Sequence, residues 1–273
     1  MASDANLDSQ FDSILRIYES KLERKLRANF NYLSRQMLQA WIESGEFIAQ
    51  GAITANEEQL EAILQESYEQ TIIAGSRFGR RMVEEKDKEK EDSLAEEALL
   101  LLLLWTREEA AKTSKELNKT TRKIFNKFLD EGIKEGLTNS PTIIDGVTNT
   151  TSTGKNELSD FVIKSTKKAN MNRAKTIATT ESQAGLQNGI EKSAEVMNEQ
   201  ALVVFKKKWR SQQDSKVRDS HARVNGQVKE IGDYFLVGRG RGLRPLDKNL
   251  PKEEVINCRC FLMLSKHNII TEI

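Results

Sequence analysis

The chain has 273 residues, in which 42 Lys and Arg nearly balance 41 Asp and Glu, and its 30% of charged residues and three prolines are typical of a water-soluble chain rich in helix. The longest apolar run, residues 98–105, is far too short to cross a bilayer. These features exclude a membrane-spanning protein. Because the first residues lack a basic region and an apolar core, we also expect no signal peptide.

The charges are unevenly divided along the chain. Residues 201–273 carry 15 basic and 8 acidic side chains, whereas residues 1–200 carry 27 basic and 33 acidic ones. A basic tail on an acidic body predicts two different partners, one of them nucleic acid. The alternative is a mixed, solvated surface.

The N-terminal part predicts two long helices. Apolar residues recur at steps of three and four over residues 7–44, which places them on one stripe of an α-helix. Gly45 and Gly51 interrupt the pattern, and a second helix is predicted from about Asn56. The residues of the first stripe are Phe11, Ile14, Leu15, Tyr18, Leu22, Leu26, Phe30, Leu33, Met37 and Trp41.

Six consecutive leucines, Leu99–Leu104, follow a charged run at residues 84–92. The charged run predicts a solvated helix or linker, and the helix preference of leucine predicts one or two helices over residues 92–136. A helix that is apolar all round for two turns must be covered by other elements or by another subunit. Two interpretations stay open: a central core helix and an oligomer contact.

A change in composition follows these helices. Residues 139–155 are rich in Thr, Asn, Ser and Gly, which predicts a loop or an exposed arm, and helical signals return over residues 157–198. We therefore predict a helical body at 1–138, a linker at 139–156 and a C-terminal domain at 157–273.

The last part of that domain, residues 201–273, predicts a small basic α+β module. Valines and aromatic residues favour a strand over 202–209, and residues 258–264 predict a last strand. Between them, Asn225-Gly226 tolerates the positive φ of a type I′ hairpin turn. The predicted fold class is mainly α with a small C-terminal α+β module: long amphipathic helices, then a compact domain with a short antiparallel sheet.

All histidines and cysteines of the chain lie between His221 and His267. One residue separates Cys258 from Cys260, and this spacing suits a pair of metal ligands better than a disulfide. A disulfide needs a specific Cα separation, which alternate residues of a strand reach only with strain. Structural zinc would take His221 with both cysteines and would staple a module whose core is thin. Its fourth ligand would be Asp219 or His267. The alternative is a pair of buried thiols beside a hydrogen-bonded histidine.

The basic side chains of the module form a candidate contact for duplex DNA. The Gly-Arg alternation over residues 238–242 predicts a flexible loop whose guanidinium groups can reach phosphates. No aromatic residues are interleaved with the arginines, so a contact would be to the DNA backbone. The alternatives are a solvated loop and a loop docked on an acidic protein surface. The candidate residues are Lys206, Lys207, Lys208, Arg210, Arg239, Arg241 and Arg244.

A further cluster, Arg218, Asp219 and His221, has the residue types of some nuclease or acyl-transfer sites. No nucleophile motif or metal-hydrolase motif accompanies it. Such a cluster is typical of a structural hydrogen-bond network, and we therefore expect no catalytic residues and no enzymatic activity.

A series of spaced residues runs through the module. A tryptophan in a strand is followed by an Asp, an Arg-x-x-His step, a Gly turn, an aromatic residue, a Pro and a closing Asn-Cys-Arg-Cys. These residues are Trp209, Asp214, Arg218, His221, Gly226, Phe235, Pro245 and Asn257-Cys258-Arg259-Cys260. In this order they resemble the phage Mu F-like family of head morphogenesis proteins. Residues 173–189 are similar to the helix that precedes the module in that family, although Thr179-Thr180-Glu181 lacks the family's Arg.

This resemblance covers roughly residues 160–265 and implies a minor head protein of a tailed phage. Proteins of the family lie inside the capsid in few copies, associate with the portal and assist head assembly or genome packaging and delivery. The resemblance thus implies portal, coat and scaffold proteins as partners, with portal or coat subunits bound by the helical body at 1–138. It also implies a location in the virion and, during assembly, in the host cytoplasm. It carries over no catalytic residues.

Two other classes of protein stay open. One is a stand-alone DNA-binding protein, against which the low net charge counts. The other is a metal-dependent hydrolase, against which the missing motifs count.

Overall fold

The computed structural model describes residues 4–44, 50–83, 96–138, 142–144, 147–149, 156–200, 204–212 and 214–267. Four long helices dominate it: α1 (Asp4–Ser44), α2 (Gln50–Val83), α3 (Glu96–Lys134) and α4 (Glu157–Gln200). The prediction of a mainly helical chain is confirmed. The second helix begins earlier than predicted and includes Gly51, since a glycine inside a helix costs only about 1 kcal/mol.

Part of the segment predicted as a loop forms a short antiparallel hairpin, β1 (Thr142–Ile144) and β2 (Val147–Asn149). Its β-branched residues favour a strand. The rest of residues 139–155, the charged run 84–92 and Gly45 lie outside the described residues.

The C-terminal sheet has the strand order β4–β3–β7 and is antiparallel. Strand β3 (Val204–Arg210) pairs with β7 (Phe261–His267) on one side and with β4 (Val228–Glu230) on the other. A second hairpin, β5 (Phe235–Val237) with β6 (Gly240–Gly242), and two short helices, α5 (Asp219–Val224) and α6 (Lys252–Val255), complete the module. The predicted small α+β module is thus confirmed.

The prediction of a hairpin at Asn225-Gly226 is wrong, because this turn joins α5 to β4. Asn225 has φ −57° and ψ 130°, and Gly226 has φ 82°, angles close to those of a type II turn. The backbone N–H of Gln227 donates to the carbonyl of Val224 at 3.1 Å. Only the glycine has positive φ, whereas a type I′ turn requires it at both positions.

The last strand begins at Phe261 and not at Cys258 as predicted. Asn257 has a left-handed φ of 56°, and the backbone N–H of Cys258 donates to the carbonyl of Val255 at the end of α6. The chain therefore turns at this point, and the two cysteines lie in the loop that leads into β7.

Contacts group the described residues into two compact units. The first comprises those within Met1–Glu23, Gln65–Glu109 and Thr176–Ile273, and the second those within Arg24–Leu64 and Ala110–Lys175. Each long helix contributes to both units. The predicted division into residues 1–138, 139–156 and 157–273 stays a prediction.

The core of the first unit combines helix and strand side chains. Phe11 of α1 stacks on Phe261 of β7 with ring centroids 4.5 Å apart, and it lies 5.7 Å from Phe78 of α2. Trp209 and Phe235 are fully buried in the same cluster. The apolar core of the predicted module therefore includes side chains from α1 and α2.

Glycines bring α2 and α4 close together within this unit. A Cβ atom on Gly75 would lie 2.1 Å from the carbonyl oxygen of Leu186, and one on Gly189 would lie 2.1 Å from that of Ile72. Since Cβ atoms are not found at such distances, only glycine fits at these two contacts.

One face of α4 carries buried polar residues at steps of three and four: Thr180, Gln183, Gln187 and Glu191. The side-chain amide of Gln183 donates to the carbonyl of Cys260 at 2.7 Å. The amide oxygen of Gln187 accepts the backbone N–H of Leu262 at 2.9 Å. This face therefore fixes the cysteine loop and the start of β7 on α4.

The second unit has its own apolar core, in which Phe125 and Val162 are fully buried. Arg173 of α4 donates to the hydroxyl of Thr121 and to the carbonyl of Leu117, both at 2.6 Å. Its guanidinium lies over the ring of Phe30, and burial lowers the pKa of Arg173 to about 10.

The leucine run begins α3, and its described side chains are divided between core and surface. Leu102 is buried, whereas Leu103 and Leu104 are 38% and 52% exposed. The side chains of Leu99–Leu101 lie outside the described residues. Among the helices that the structure describes, none is both long and apolar enough to cross a membrane.

Candidate metal centre

The structure brings together three of the predicted metal ligands, His221 of α5 and Cys258 and Cys260 of the loop before β7. Nδ1 of His221 lies 3.6 Å from Sγ of Cys258 and 3.3 Å from Sγ of Cys260. All three residues are buried, and one ligand atom from each lies within 4.8 Å of the others. The buried-thiol alternative and the metal alternative share this geometry.

Backbone and side-chain contacts from α4 hold the cysteine loop in place. The hydroxyl of Thr180 accepts the backbone N–H of Asn257 at 3.2 Å, next to the contact between Gln183 and Cys260. The indole of Trp209 covers His221 with an edge-on contact at 5.7 Å between centroids. The cluster is therefore fixed by elements that are far apart in the sequence.

Glu254 of α6 completes the cluster, and no motif in the sequence points to it. Its Oε2 lies 3.0 Å from Nε2 of His221 and accepts the hydroxyl of Ser220 at 2.7 Å. Its Oε1 lies only 2.2 Å from the point where a Cβ of residue 238 would be, so that the glycine at this position makes room for the carboxylate. The imidazole therefore has its Nε2 against the carboxylate and its Nδ1 towards the two sulfurs.

The two thiols influence each other's protonation. The pKa of Cys260 is lowered, chiefly because Cys258 donates a hydrogen bond to it and also because of His221. The pKa of Cys258 is raised well above its usual value by that same hydrogen bond and by burial. The arrangement therefore favours a thiolate at Cys260, which is the form that binds metal ions.

Of the two residues predicted as the fourth ligand, Asp219 does not join this cluster, and His267 is described only by its backbone. Asp219, the first residue of α5, is exposed and is not among the clustered ligand atoms. The side chain of His267 lies outside the described residues, but its backbone is at the far end of β7. At about 3.3 Å per strand residue, its Cα lies roughly 20 Å from that of Phe261.

A cavity of about 10 Å³ opens beside the cluster and is lined by His221 and Cys260, a volume at the lower limit for holding one water. Arg218 and Arg259 also line it. Arg218 donates to the carbonyl of Ile256 at 2.5 Å. Arg259 donates to Asp214 at 2.7 Å, and this bond chiefly lowers the pKa of Asp214 to about 2.

Most of the predicted DNA-binding residues have protein partners instead of facing solvent. Lys206 pairs with Glu230 at 3.0 Å, and Arg210 pairs with Asp8 at 2.8 Å. Lys208 also has an interaction partner within the protein. Lys206 and Lys208 are half-buried in the strand. The lysine triplet is therefore not an open basic surface.

Lys207 and Arg244 belong to a buried charge cluster. Nζ of Lys207 lies 3.3 Å from Glu191, and the guanidinium of Arg244 donates to the same carboxylate at 2.6 Å. Lys207 and Glu191 are almost completely buried, and burial lowers the pKa of Lys207 although Glu191 opposes this. The structure does not place Lys207 on a phosphate-binding surface, because alternate residues of β3 point inwards.

Arg239 and Arg241 are exposed. They lie on the β5–β6 hairpin, which replaces the predicted flexible loop. Gly238 starts its turn with φ 57°, and the guanidinium of Arg241 lies 5.3 Å from the centroid of Tyr234.

The residues that carried the family resemblance lie together in the first unit. Trp209, Phe235 and Pro245 are buried, Gly226 makes the α5–β4 turn, and Asp214 pairs with Arg259 of the closing motif. Of these anchors, Trp209 contacts both His221 and Phe235.

Comparison with known proteins agrees with this arrangement. No curated protein and no solved structure matches the chain. The family model described as Phage Mu protein F like protein matches residues 113–263, more than half of the 273 residues. The chain therefore belongs to the phage Mu F-like protein family.

Proposed function

We propose that the protein is a minor head protein that associates with the portal inside the capsid and assists head assembly or genome packaging and delivery. The observation that carries this proposal is membership of the phage Mu F-like family, which indicates a phage head protein. Portal, coat and scaffold proteins are the proposed partners, and the virion and the host cytoplasm during assembly are the proposed locations.

The leucine run supports an assembly role. Leu103 and Leu104 are adjacent on α3 and exposed, although burying a leucine side chain is worth about 1.5–3 kcal/mol. A portal subunit that covers them would recover this free energy. Contact through another chain is one of the two interpretations that the sequence left open for this run.

Co-sedimentation with purified portal oligomers, in the absence of DNA, tests the proposal. The wild-type chain is expected to sediment with the portal, and the double variant Leu103→Gln/Leu104→Gln is expected to bind at least about fivefold more weakly. Leu236→Gln is the matched control, since Leu236 is 74% exposed on the separate β5–β6 hairpin. If the wild-type chain does not sediment with the portal, the proposed association with the portal is wrong.

A second candidate function is sequence-independent contact with duplex DNA, and it rests on Arg239 and Arg241. Both are exposed. We expect the protein to be retained on duplex DNA at low salt. In Arg239→Gln/Arg241→Gln, the magnitude of the slope of log K against log salt should decrease by about 2, because two phosphate contacts are lost. Lys206→Gln is the control, because this lysine pairs with Glu230. No retention at low salt would remove this candidate.

We propose an assembly role without catalysis. His221 is buried against Glu254, whereas Asp219 is exposed, which does not favour a catalytic pair. Hydrolase activity that is lost in a folded His221→Ala variant would contradict this proposal.

A further inference from the structure

The cluster of His221, Cys258 and Cys260 has a geometry that selects a ligand. We propose that these three side chains bind one zinc ion, with a water in the adjoining cavity as the fourth ligand and Glu254 orienting His221. This inference concerns a metal site and does not depend on the proposed role in the phage head.

The distances in the cluster match those of a tetrahedral zinc site. Zinc lies about 2.3 Å from cysteine sulfur and about 2.0–2.1 Å from histidine nitrogen, so a tetrahedral angle places the two ligand atoms about 3.5 Å apart. The observed distances from Nδ1 of His221 to the two sulfurs are 3.6 and 3.3 Å. The side chains therefore need little movement to coordinate the ion.

Both sulfurs converge on Nδ1 of His221 within hydrogen-bond reach. A hydrogen bond joins this nitrogen to one sulfur at a time, because a neutral imidazole nitrogen carries either one proton or one lone pair. A metal ion uses the lone pair and both sulfurs at once.

The surroundings satisfy the other requirements of a zinc site. Histidine ligands of zinc usually contact a carboxylate or carbonyl through their second nitrogen, and Glu254 occupies this position at 3.0 Å from Nε2. Two thiolates neutralise the charge of a divalent zinc ion, which lowers the cost of burying it. The nearby Arg218 and Arg259 already have acceptors.

The fourth ligand follows from the cavity and from the residues around it. Among the described residues, only three clustered His, Cys, Asp and Glu side chains could hold a metal ion, and tetrahedral zinc has four ligands. The cavity of about 10 Å³ beside His221 and Cys260 has room for one water.

Metal analysis of the full chain is the first test. The protein is purified under reducing conditions without a histidine tag, and zinc is measured by plasma mass spectrometry. We expect about one zinc per chain. The protein is then supplied with zinc and measured again. Less than about a third of a zinc per chain, with the two thiols free or joined in a disulfide, would overturn the proposal.

Cobalt replacement identifies the ligands. We expect tetrahedral ligand-field bands and thiolate-to-cobalt charge-transfer absorption in the wild type and in Asp219→Asn, whose side chain is exposed. Cys260→Ser and His221→Asn should change or lose these bands. Because these variants can also lose their fold, circular dichroism accompanies each spectrum. A folded Cys260→Ser variant with an unchanged spectrum would contradict the ligand assignment.

Glu254→Gln tests the orienting role without removing a ligand. We expect this variant to keep about one zinc per chain but to bind it about 10–100-fold more weakly in competition with a chelator. Glu253→Gln is the matched control, because Glu253 is the exposed neighbour on α6. Equal zinc affinity in the wild type and Glu254→Gln would remove Glu254 from the site.

Discussion

The side-chain amide of Gln183 donates a 2.7 Å hydrogen bond to the backbone carbonyl of Cys260. It joins two residues that are 77 positions apart in the sequence, and both are buried. Through this bond, a helix that precedes the C-terminal sheet fixes the loop that carries both cysteines.

Gln183→Met should destabilise the protein by about 1–3 kcal/mol, because the variant keeps the shape of the side chain but leaves a buried carbonyl without its donor. The free energy of unfolding in denaturant measures this effect. Asn172→Met is the control: this amide is exposed on the same helix, and its replacement should change stability by no more than about 0.5 kcal/mol. Equal effects of the two substitutions would contradict the role of Gln183.

Glu191→Gln should destabilise the protein by about 3–5 kcal/mol, because it leaves the buried cations Lys207 and Arg244 without their shared anion. The matched variant is Glu230→Gln. Glu230 of β4 pairs with Lys206 of the neighbouring strand β3 but is 52% exposed, so its loss should cost about 1 kcal/mol or less. Thermal and denaturant unfolding of both variants check the contrast. A cost below about 1 kcal/mol for Glu191→Gln would show that the buried cluster is not a stabilising charge network.

Glu181 should make stability depend on pH. Burial raises the pKa of its carboxyl above 4.5, although a hydrogen bond from Tyr68 opposes this. Between 4.5 and the raised value, the folded chain binds more protons than the unfolded chain, so the stability contributed by the protonated form is lost as the pH rises.

Glu181→Gln removes this dependence. The melting temperature of the variant relative to wild type should therefore increase as the pH rises from about 4.5 and level off above the raised pKa. Exposed Glu58→Gln controls for the change in charge. A difference that is constant across this pH range would contradict the assignment.

Two glycine substitutions should have opposite effects. Gly189→Ala places a Cβ against the carbonyl of Ile72 and should cost about 1–3 kcal/mol or more, since overpacking forces backbone shifts. Gly51→Ala meets no atom within 4 Å and should stabilise α2 by about 0.5–1 kcal/mol. Denaturant unfolding measures both changes, and destabilisation of similar size in the two variants would refute the close contact.

The sequence predicts the helices better than the site, and the reason is the range of the interactions. The stripe from Phe11 to Trp41 repeats at the period of a helix, so local pattern is sufficient. The residue types alone predict that His221 lies close to the two cysteines. Glu254 has no local signal, because its role depends on α6 facing α5.

Burial of polar residues is the other feature that pattern does not reveal. Lys207 lies in a run of three lysines, which resembles a solvated basic face, yet it is buried against Glu191. Gln183 and Gln187 would likewise be assigned to the surface of a helix. They are buried because their amides bond to backbone groups of the cysteine loop and of β7, which need a donor or an acceptor. The two partners of each bond are too far apart in the sequence for a local pattern to show them.

The described packing partners of strand β7 precede it in the sequence, and this order affects synthesis. The ring of Phe261 covers Phe11, and Leu262 engages Gln187, so a nascent chain cannot close this core before the ribosome has added β7. A chain interrupted earlier would expose Phe11 and the polar face of α4 to chaperones and proteases.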